Sequence, residues 1–304
     1  MPDRTQLQTV PCSLCGSRDH VPLFERPYAE ETLLDCATFA ASTDEFSAYG
    51  RIVRCKACGL VFVNPRPTHE RLLAGYSACV DASYLEESSS RSINAHLSLR
   101  TIAKHARAGR LLDVGCATGY FLNAARVDFE VVGLEPCEWA CRICRDRFKL
   151  EAYPETLQAD RFAPESFDVV TLIDVLEHLA DPKAAVLRAA RLLKPGGLLY
   201  IVTPDIESLS AKLLRGYWWG LRPAHMHYFS PATLECLLAE ASARIVRRKS
   251  FGRIFSYGYW CSRLKNYPSW THSLVRPAIT LLGIEDKLLY LDTRDSIEVC
   301  ALKR

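Results

Sequence analysis

From about residue 92 to residue 250 the chain alternates short apolar runs with segments whose apolar positions recur at helical spacing. Continuous apolar runs near 110–115, 130–135, 167–173 and 198–203 read as strands buried on both faces. Helical patterns fall near 119–127, 137–148, 182–193 and 231–240, after a first helix over roughly Ile93–Ala108. This alternation predicts a mostly parallel sheet with helices on both faces. Pro195-Gly196-Gly197 is expected to stop one helix and turn into the next strand. Ser230-Pro231 offers an N-cap and an N1 proline for the helix that follows. Asp295–Leu302 returns to strand-like alternation and is expected to close the sheet. The aromatic, amphipathic stretch 251–293 fits the alternation poorly and reads as a packed helical insertion. Residues 1–85 are turn-rich, hold two cysteine pairs, and leave through Asn64-Pro65-Arg66-Pro67.

Composition narrows the functional class. The chain has 304 residues, 49% hydrophobic and 24% charged, as expected of an ordinary globular protein. A net charge of +3 is too small to argue for a nucleic-acid partner. Met1–Val10 is polar and lacks a leader-like apolar core, and no run approaches the ~18 apolar residues of a membrane helix. A cytoplasmic protein is therefore expected, in which thirteen cysteines stay reduced.

The run Leu111-Leu112-Asp113-Val114-Gly115-Cys116-Ala117-Thr118-Gly119-Tyr120-Phe121 ends an apolar strand in a turn of small residues. The next strand ends in Glu135. A glycine-bearing turn after one strand and an acid at the tip of the next is a Rossmann-type arrangement for a ribose-containing cofactor. The absence of a compact Gly-x-Gly-x-x-Gly argues against a dinucleotide, whose pyrophosphate needs close backbone approach. With Gly133-Leu134-Glu135-Pro136, Phe167-Asp168-Val169-Val170, Asp174-Val175-Leu176-Glu177-His178 and Leu193-Lys194-Pro195-Gly196-Gly197, the chain resembles the class I S-adenosylmethionine-dependent methyltransferases. The resemblance implies an α/β fold with a Rossmann-like, mostly parallel, seven-stranded sheet. It places Asp113 and the loop Gly115, Cys116, Ala117, Thr118, Gly119, with Tyr120 and Phe121, around the methionine part of S-adenosyl-L-methionine. Glu135 and Pro136 belong at the ribose, Leu157 and Gln158 at the adenine, Ile173 and Asp174 behind the cofactor, and His178 at the cleft. Ala117 departs from the glycine common in relatives, and Ala resists positive φ. Leu157 replaces a common acid.

Cys12-Ser13-Leu14-Cys15-Gly16 and Cys55-Lys56-Ala57-Cys58-Gly59 read as two knuckles whose four thiolates make a closed structural zinc site. Their separation exceeds the ~15–20 residues of zinc ribbons, and loop closure over the extra length costs little. Arg54–Pro67 resembles the N-terminal zinc-binding domain of bacterial sugar and natural-product methyltransferases. Two parts are thus expected: a zinc-binding module and lid linker over 1–85, and a methyltransferase domain over 86–304 with an aromatic insertion at 251–293. Cys137, Cys141 and Cys144 share a helix face and read as packing residues.

Methyl transfer to an alcohol needs alignment and a proton acceptor. The loop Trp218–Pro231 follows a strand's carboxyl end, where such sheets bind ligands. His225 is the expected base, with His227 or Tyr228 orienting the substrate, because residues i and i+2 share a side if extended. The alternatives are helix capping by one histidine and loop packing by the other. His178 reads as a cleft wall or as the base, and Tyr76 and Tyr84 as a lid or as packing. The expected partner is a small-molecule or glycan acceptor, a sugar first, with O- or C-methylation open. A quinone or lipid precursor is the second reading, because Trp260, Trp270 and Leu281-Leu282 offer an apolar surface or a peripheral membrane contact. A catalytically silent scaffold is the third. Oligomeric state is not encoded in any of these patterns.

Overall fold

A computed structural model describes residues 7–26, 36–40, 42, 50–267 and 269–304. The Trp270 side chain and the first six residues, both used in the sequence reading, lie outside the described ones.

The centre is a seven-stranded sheet: β1 (Gly109–Val114), β2 (Phe129–Leu134), β3 (Glu151–Tyr153), β4 (Phe167–Ile173), β5 (Leu193–Pro204), β6 (Ala243–Ser250) and β7 (Ser296–Lys303). Their order is β6-β7-β5-β4-β1-β2-β3. The block β3-β2-β1-β4-β5 is parallel, and β7 runs antiparallel between β5 and β6. The expected α/β fold is therefore present, but the strand expected at Asp295–Leu302 is Ser296–Lys303 and enters the sheet as an inner strand, leaving β6 at the edge. Side chains alternate between two cores. Leu112, Val114, Val170, Leu172, Leu199 and Ile201 feed one, and Leu111, Val169, Leu198, Tyr200 and Val202 the other. Burial on both faces is why these strands read as unbroken apolar runs. Chain order reverses between β1 and β4, so a crevice opens at their carboxyl ends.

Several local expectations shift for identifiable reasons. The first helix is Ser88–Ile102, displaced toward the N-terminus. Its opening turn is Ser88-Ser89-Ser90, which carries no apolar period to read. Pro195-Gly196-Gly197 lies inside β5, in a register break between Leu193 and Leu198, rather than before the strand. Ser230 caps Pro231–Glu240 through a capping box with Thr233, as the sequence implied. The segment 251–293 is only partly helical. Helices Tyr257–Ser262 and Ser269–Leu281 are bracketed by the antiparallel pair Arg253–Ser256 and Leu288–Leu291. Four-residue strands are too short to show an alternation.

At the N-terminal side, strands His20–Arg26, Gly50–Cys55 and Val61–Val63 form an antiparallel sheet. Its fourth strand is His227–Tyr228, paired to Phe62 and Val61. Cys12, Leu14, Val53 and Phe62 share a core cluster with Leu112, Phe229 and Leu234.

Candidate active site

A cavity of about 1200 Å³ opens at the carboxyl ends of β1 and β4. Asp113, Gly115, Cys116, Ala117, Thr118, Tyr120, Phe121, Glu135, Pro136, Leu157, Gln158, Ile173, Asp174 and His178 all line it. Gly119 does not. It opens the helix Tyr120–Ala125 at φ +86°, and a Cβ there would sit 2.6 Å from Cys144 Sγ. Ala117 adopts φ +46°, a left-handed conformation that costs an L-residue about 1–2 kcal/mol. The loop keeps the glycine-type geometry even with alanine in it.

Glu135 is braced from below. Its Oε2 accepts the Ala117 N–H (3.1 Å) and its Oε1 the Cys137 N–H (3.0 Å). Burial pushes its pKa up, and these two donors oppose the shift. Asp113 accepts a hydrogen bond from Thr171 Oγ1 (2.6 Å). Burial nevertheless raises its carboxyl to about 7, and the nearby Glu135 adds to the rise. Thr118 Oγ1 is buried at the rim of this pocket with no hydrogen-bond partner among the described residues.

The methyltransferase domain family matches residues 86–247, more than half of the chain. The chain belongs to this family, as a class I S-adenosylmethionine-dependent methyltransferase. A ubiquinone biosynthesis O-methyltransferase of Thiobacillus denitrificans is 38% identical over 147 residues, covering 43% of this chain and 63% of that protein. One from Albidiferax ferrireducens is 36% identical over 171 residues, covering 50% and 67%. The methyltransferase thus spans about two thirds of the length of these curated relatives. A methyltransferase structure from Archaeoglobus fulgidus aligns with a TM-score of 0.51 at 19% identity, covering 73% of this chain and all of its own. A Bacillus protein, YcgJ, gives 0.51 at 16% identity, covering 70% and 98%. At these identities the structures speak for the fold alone.

Beyond the cofactor end, the methyltransferase cavity continues into an aromatic half. Phe251, Phe255, Tyr257, Tyr259, Trp260 and Leu264 line it, with Val275 and Ile279 from Ser269–Leu281. His178 and His225 stand at the junction, ring centroids 4.6 Å apart and edge to face. His178 Nδ1 lies 2.6 Å from Tyr76 Oη and 3.2 Å from the Ala224 carbonyl. His225 Nδ1 donates to the Gly220 carbonyl (2.8 Å). Burial lowers the pKa of His178 to about 4 and that of His225 well below the usual value, with the Arg222 guanidinium adding to both. Both rings are therefore neutral at pH 7. Burial pushes Glu177 up to about 8, and the Asp174 carboxylate reinforces this. Asp174 itself adopts φ +54° and is held by Arg253 (2.6 Å).

His227 and Tyr228 lie elsewhere. His227 Nε2 contacts Ser13 Oγ (3.0 Å) and accepts from Arg66 Nη1 (3.1 Å), on the side of the first cysteine knuckle. Tyr228 is 1% exposed and packs with Trp218 and Val61. The pairing of His225 with His227 on one side requires an extended chain. Only His227–Tyr228 is extended, whereas the His225 N–H closes a turn onto the Arg222 carbonyl. Arg222 and Arg253, which line the cavity, had no signal in the sequence. The Arg253 partner, Asp174, is remote in the chain. Glu177 lies within the Asp174–His178 motif and also lines the cavity, a placement that no local spacing in the motif marks. Tyr76 and Tyr84 both line the cavity.

Cys12, Cys15, Cys55 and Cys58 converge, all four sulfurs lying within 4.8 Å of one another. Cys12–Cys58 and Cys15–Cys55 Sγ pairs are each 3.5 Å apart. Gly16 and Gly59 take positive φ, and their N–H groups return to Cys12 and Cys55 carbonyls. Cys141 and Cys144 are fully buried, as packing residues should be. Among the described residues no helix is long and apolar enough to cross a membrane.

Proposed function

We propose that the protein transfers the methyl group of S-adenosylmethionine to a hydroxyl of an apolar, aromatic small molecule of the quinone-precursor class. The observation that carries this reading is the aromatic half-cavity joined to the cofactor end. Relatives whose names specify ubiquinone biosynthesis O-methylation support it. They favour this acceptor over the sugar or glycan expected from the resemblance of Arg54–Pro67.

The cofactor residues fit their roles. Glu135 keeps lone pairs beyond its two backbone bonds, free for ribose hydroxyls. Thr118 Oγ1, which has no hydrogen-bond partner among the described residues, and the Asp113 carboxyl suit the polar methionine end, and Leu157 the adenine face. When bound, S-adenosylmethionine supplies a sulfonium whose S–CH3 bond breaks as the acceptor oxygen forms O–CH3, releasing S-adenosylhomocysteine. Glu177, His178 and His225 face the acceptor oxygen, and its proton is given up there. Tyr76 fixes the His178 ring, and the cavity walls exclude water and align the two reactants, an effect worth up to about 7–11 kcal/mol.

The four cysteines support a structural zinc. Zn–S bonds of about 2.3 Å place tetrahedral sulfurs ~3.8 Å apart, close to the observed contacts. A zinc-binding module and lid over 1–85, a methyltransferase domain over 86–304, and a cytoplasmic location that keeps the thiols reduced belong to the same proposal. Exposed Leu281 and Leu282, near the cavity-lining Val275 and Ile279, fit a peripheral approach to lipid-borne acceptors.

The deciding experiment offers labelled S-adenosylmethionine with prenylated catechols and hydroquinones in one arm and sugar nucleotides in the other. Label in the aromatic arm alone is expected. Label in the sugar arm alone would overturn the acceptor class.

A further inference from the structure

Glu177, His178 and His225 form a cluster that acid–base roles alone do not explain. Each offers one ligand atom, and the three lie within 4.8 Å of one another. A carbonyl only accepts, so the His225 Nδ1–H···O=C bond to Gly220 fixes the tautomer that leaves Nε2 bare. His178 Nδ1 is likewise within reach of the Ala224 carbonyl. An imidazole anchored through one nitrogen on a backbone carbonyl, with the other aimed into a cavity, is the arrangement of metal-ligating histidines. Glu177 is 1% exposed, and its Oε2 takes a hydrogen bond from Thr203 Oγ1 (2.9 Å), which orients the side chain and leaves Oε1 for a ligand.

We infer that Glu177, His178 and His225 form a binding site for a first-row divalent cation, whose open positions face the acceptor half of the cavity. Two imidazoles and one carboxylate suit Mn²⁺, Fe²⁺, Co²⁺ or Zn²⁺ better than Mg²⁺ or Ca²⁺, which prefer all-oxygen sets. Donors on a sphere of about 2.1 Å stand ~3–4.2 Å apart, so a pair at the 4.8 Å limit would draw in by roughly 0.6–1.8 Å. The charged groups around it are Asp174, Arg253 and Arg222. Arg253 holds Asp174, so Asp174 stays outside the ligand set. Arg222 opposes a cation, and the Glu177 charge must outweigh it. In this site the cation would hold two neighbouring oxygens of the acceptor, such as those of a catechol bound as its monoanion, the proton of the reacting hydroxyl having passed to bulk solvent as the acceptor binds. This last step rests on the acceptor reading above, whereas the cation site itself does not.

The test is titration of Mn²⁺ into the zinc-loaded full chain, followed by loss of the free-ion electron paramagnetic resonance signal. Mn²⁺ favours nitrogen and oxygen over thiolates, so the four cysteines do not compete for it. One Mn²⁺ per chain is expected, with affinity lowered about tenfold or more in Glu177→Gln and in His225→Asn, and unchanged in a surface variant such as Lys212→Gln. Retained S-adenosylmethionine affinity certifies that each variant is folded. If one fails to fold, the other carries the test. No uptake at millimolar Mn²⁺, or equal uptake by wild type and both variants, would overturn the site and leave Glu177 an ordinary buried carboxylic acid. Uptake is read without turnover, so failure of every quinone-type acceptor would sink the acceptor reading and leave the cation site standing.

Discussion

At the residue scale, two positions hold chemistry that the surrounding fold makes expensive. Ala117 sits at φ +46° where relatives commonly have glycine. Ala117→Gly is expected to raise stability by about 1 kcal/mol, seen as a higher urea midpoint, because it removes the left-handed strain. A lower midpoint would mean that the alanine methyl packs usefully. Asp113 is the second position, with its carboxyl raised to about 7 by burial. A cationic ligand end draws it into the ionised form. Below pH 7 the free protein must first release a proton, so S-adenosylmethionine affinity should fall as pH drops, by up to about tenfold per unit. Above 7 it should level off. Calorimetry from pH 5.5 to 8 reads this directly, and Asp113→Asn should flatten the slope. A flat wild-type profile would remove Asp113 from the methionine end. Asp113, Glu135 and His178 were legible because each sits at a fixed place in a strand–turn pattern. Arg222 and Arg253 were not, because their partners come from distant segments.

At the element scale, the two-residue strand His227–Tyr228 connects the parts of the molecule. It completes the N-terminal sheet through Val61 and Phe62, while His225, just before it, lines the cavity. His227 also meets Ser13 and Arg66 beside the cysteine knuckles. Cys15→Ser should lower zinc content and, in hydrogen exchange, reduce protection of Gly50–Cys55, Val61–Val63 and His227–Tyr228 together, with β1 and β4 protected as before. Unchanged protection at 227–228 would mean that the loop Trp218–Pro231 is held independently of the cysteine knuckles. His-x-His was legible as a local pattern. Which way each ring points was not, because alternation applies only to extended chain and a turn precedes the strand.

At the scale of the whole molecule, one apolar cluster runs from Cys12 and Leu14 through Val53 and Phe62 to Leu112, Leu199 and Leu234. Removing residues 1–85 would strip Phe229 and its neighbours of cover. The shortened chain is expected to bind an apolar dye and to melt without a sharp transition, and a single cooperative melt near that of the full chain would contradict this. The parallel sheet, the glycine-bearing loop and the acid at the second strand tip were readable from the chain alone, because doubly buried strands and tight turns leave local, periodic marks. So were the two cysteine knuckles, whose spacing is local. The directions of His227, toward Arg66 and away from the cavity, the meeting of Glu177 with His178 and His225, and the lining of the aromatic half of the cavity by segment 251–293 emerged only in three dimensions. Those outcomes depend on contacts between segments far apart in the chain, and no local period or spacing encodes such contacts.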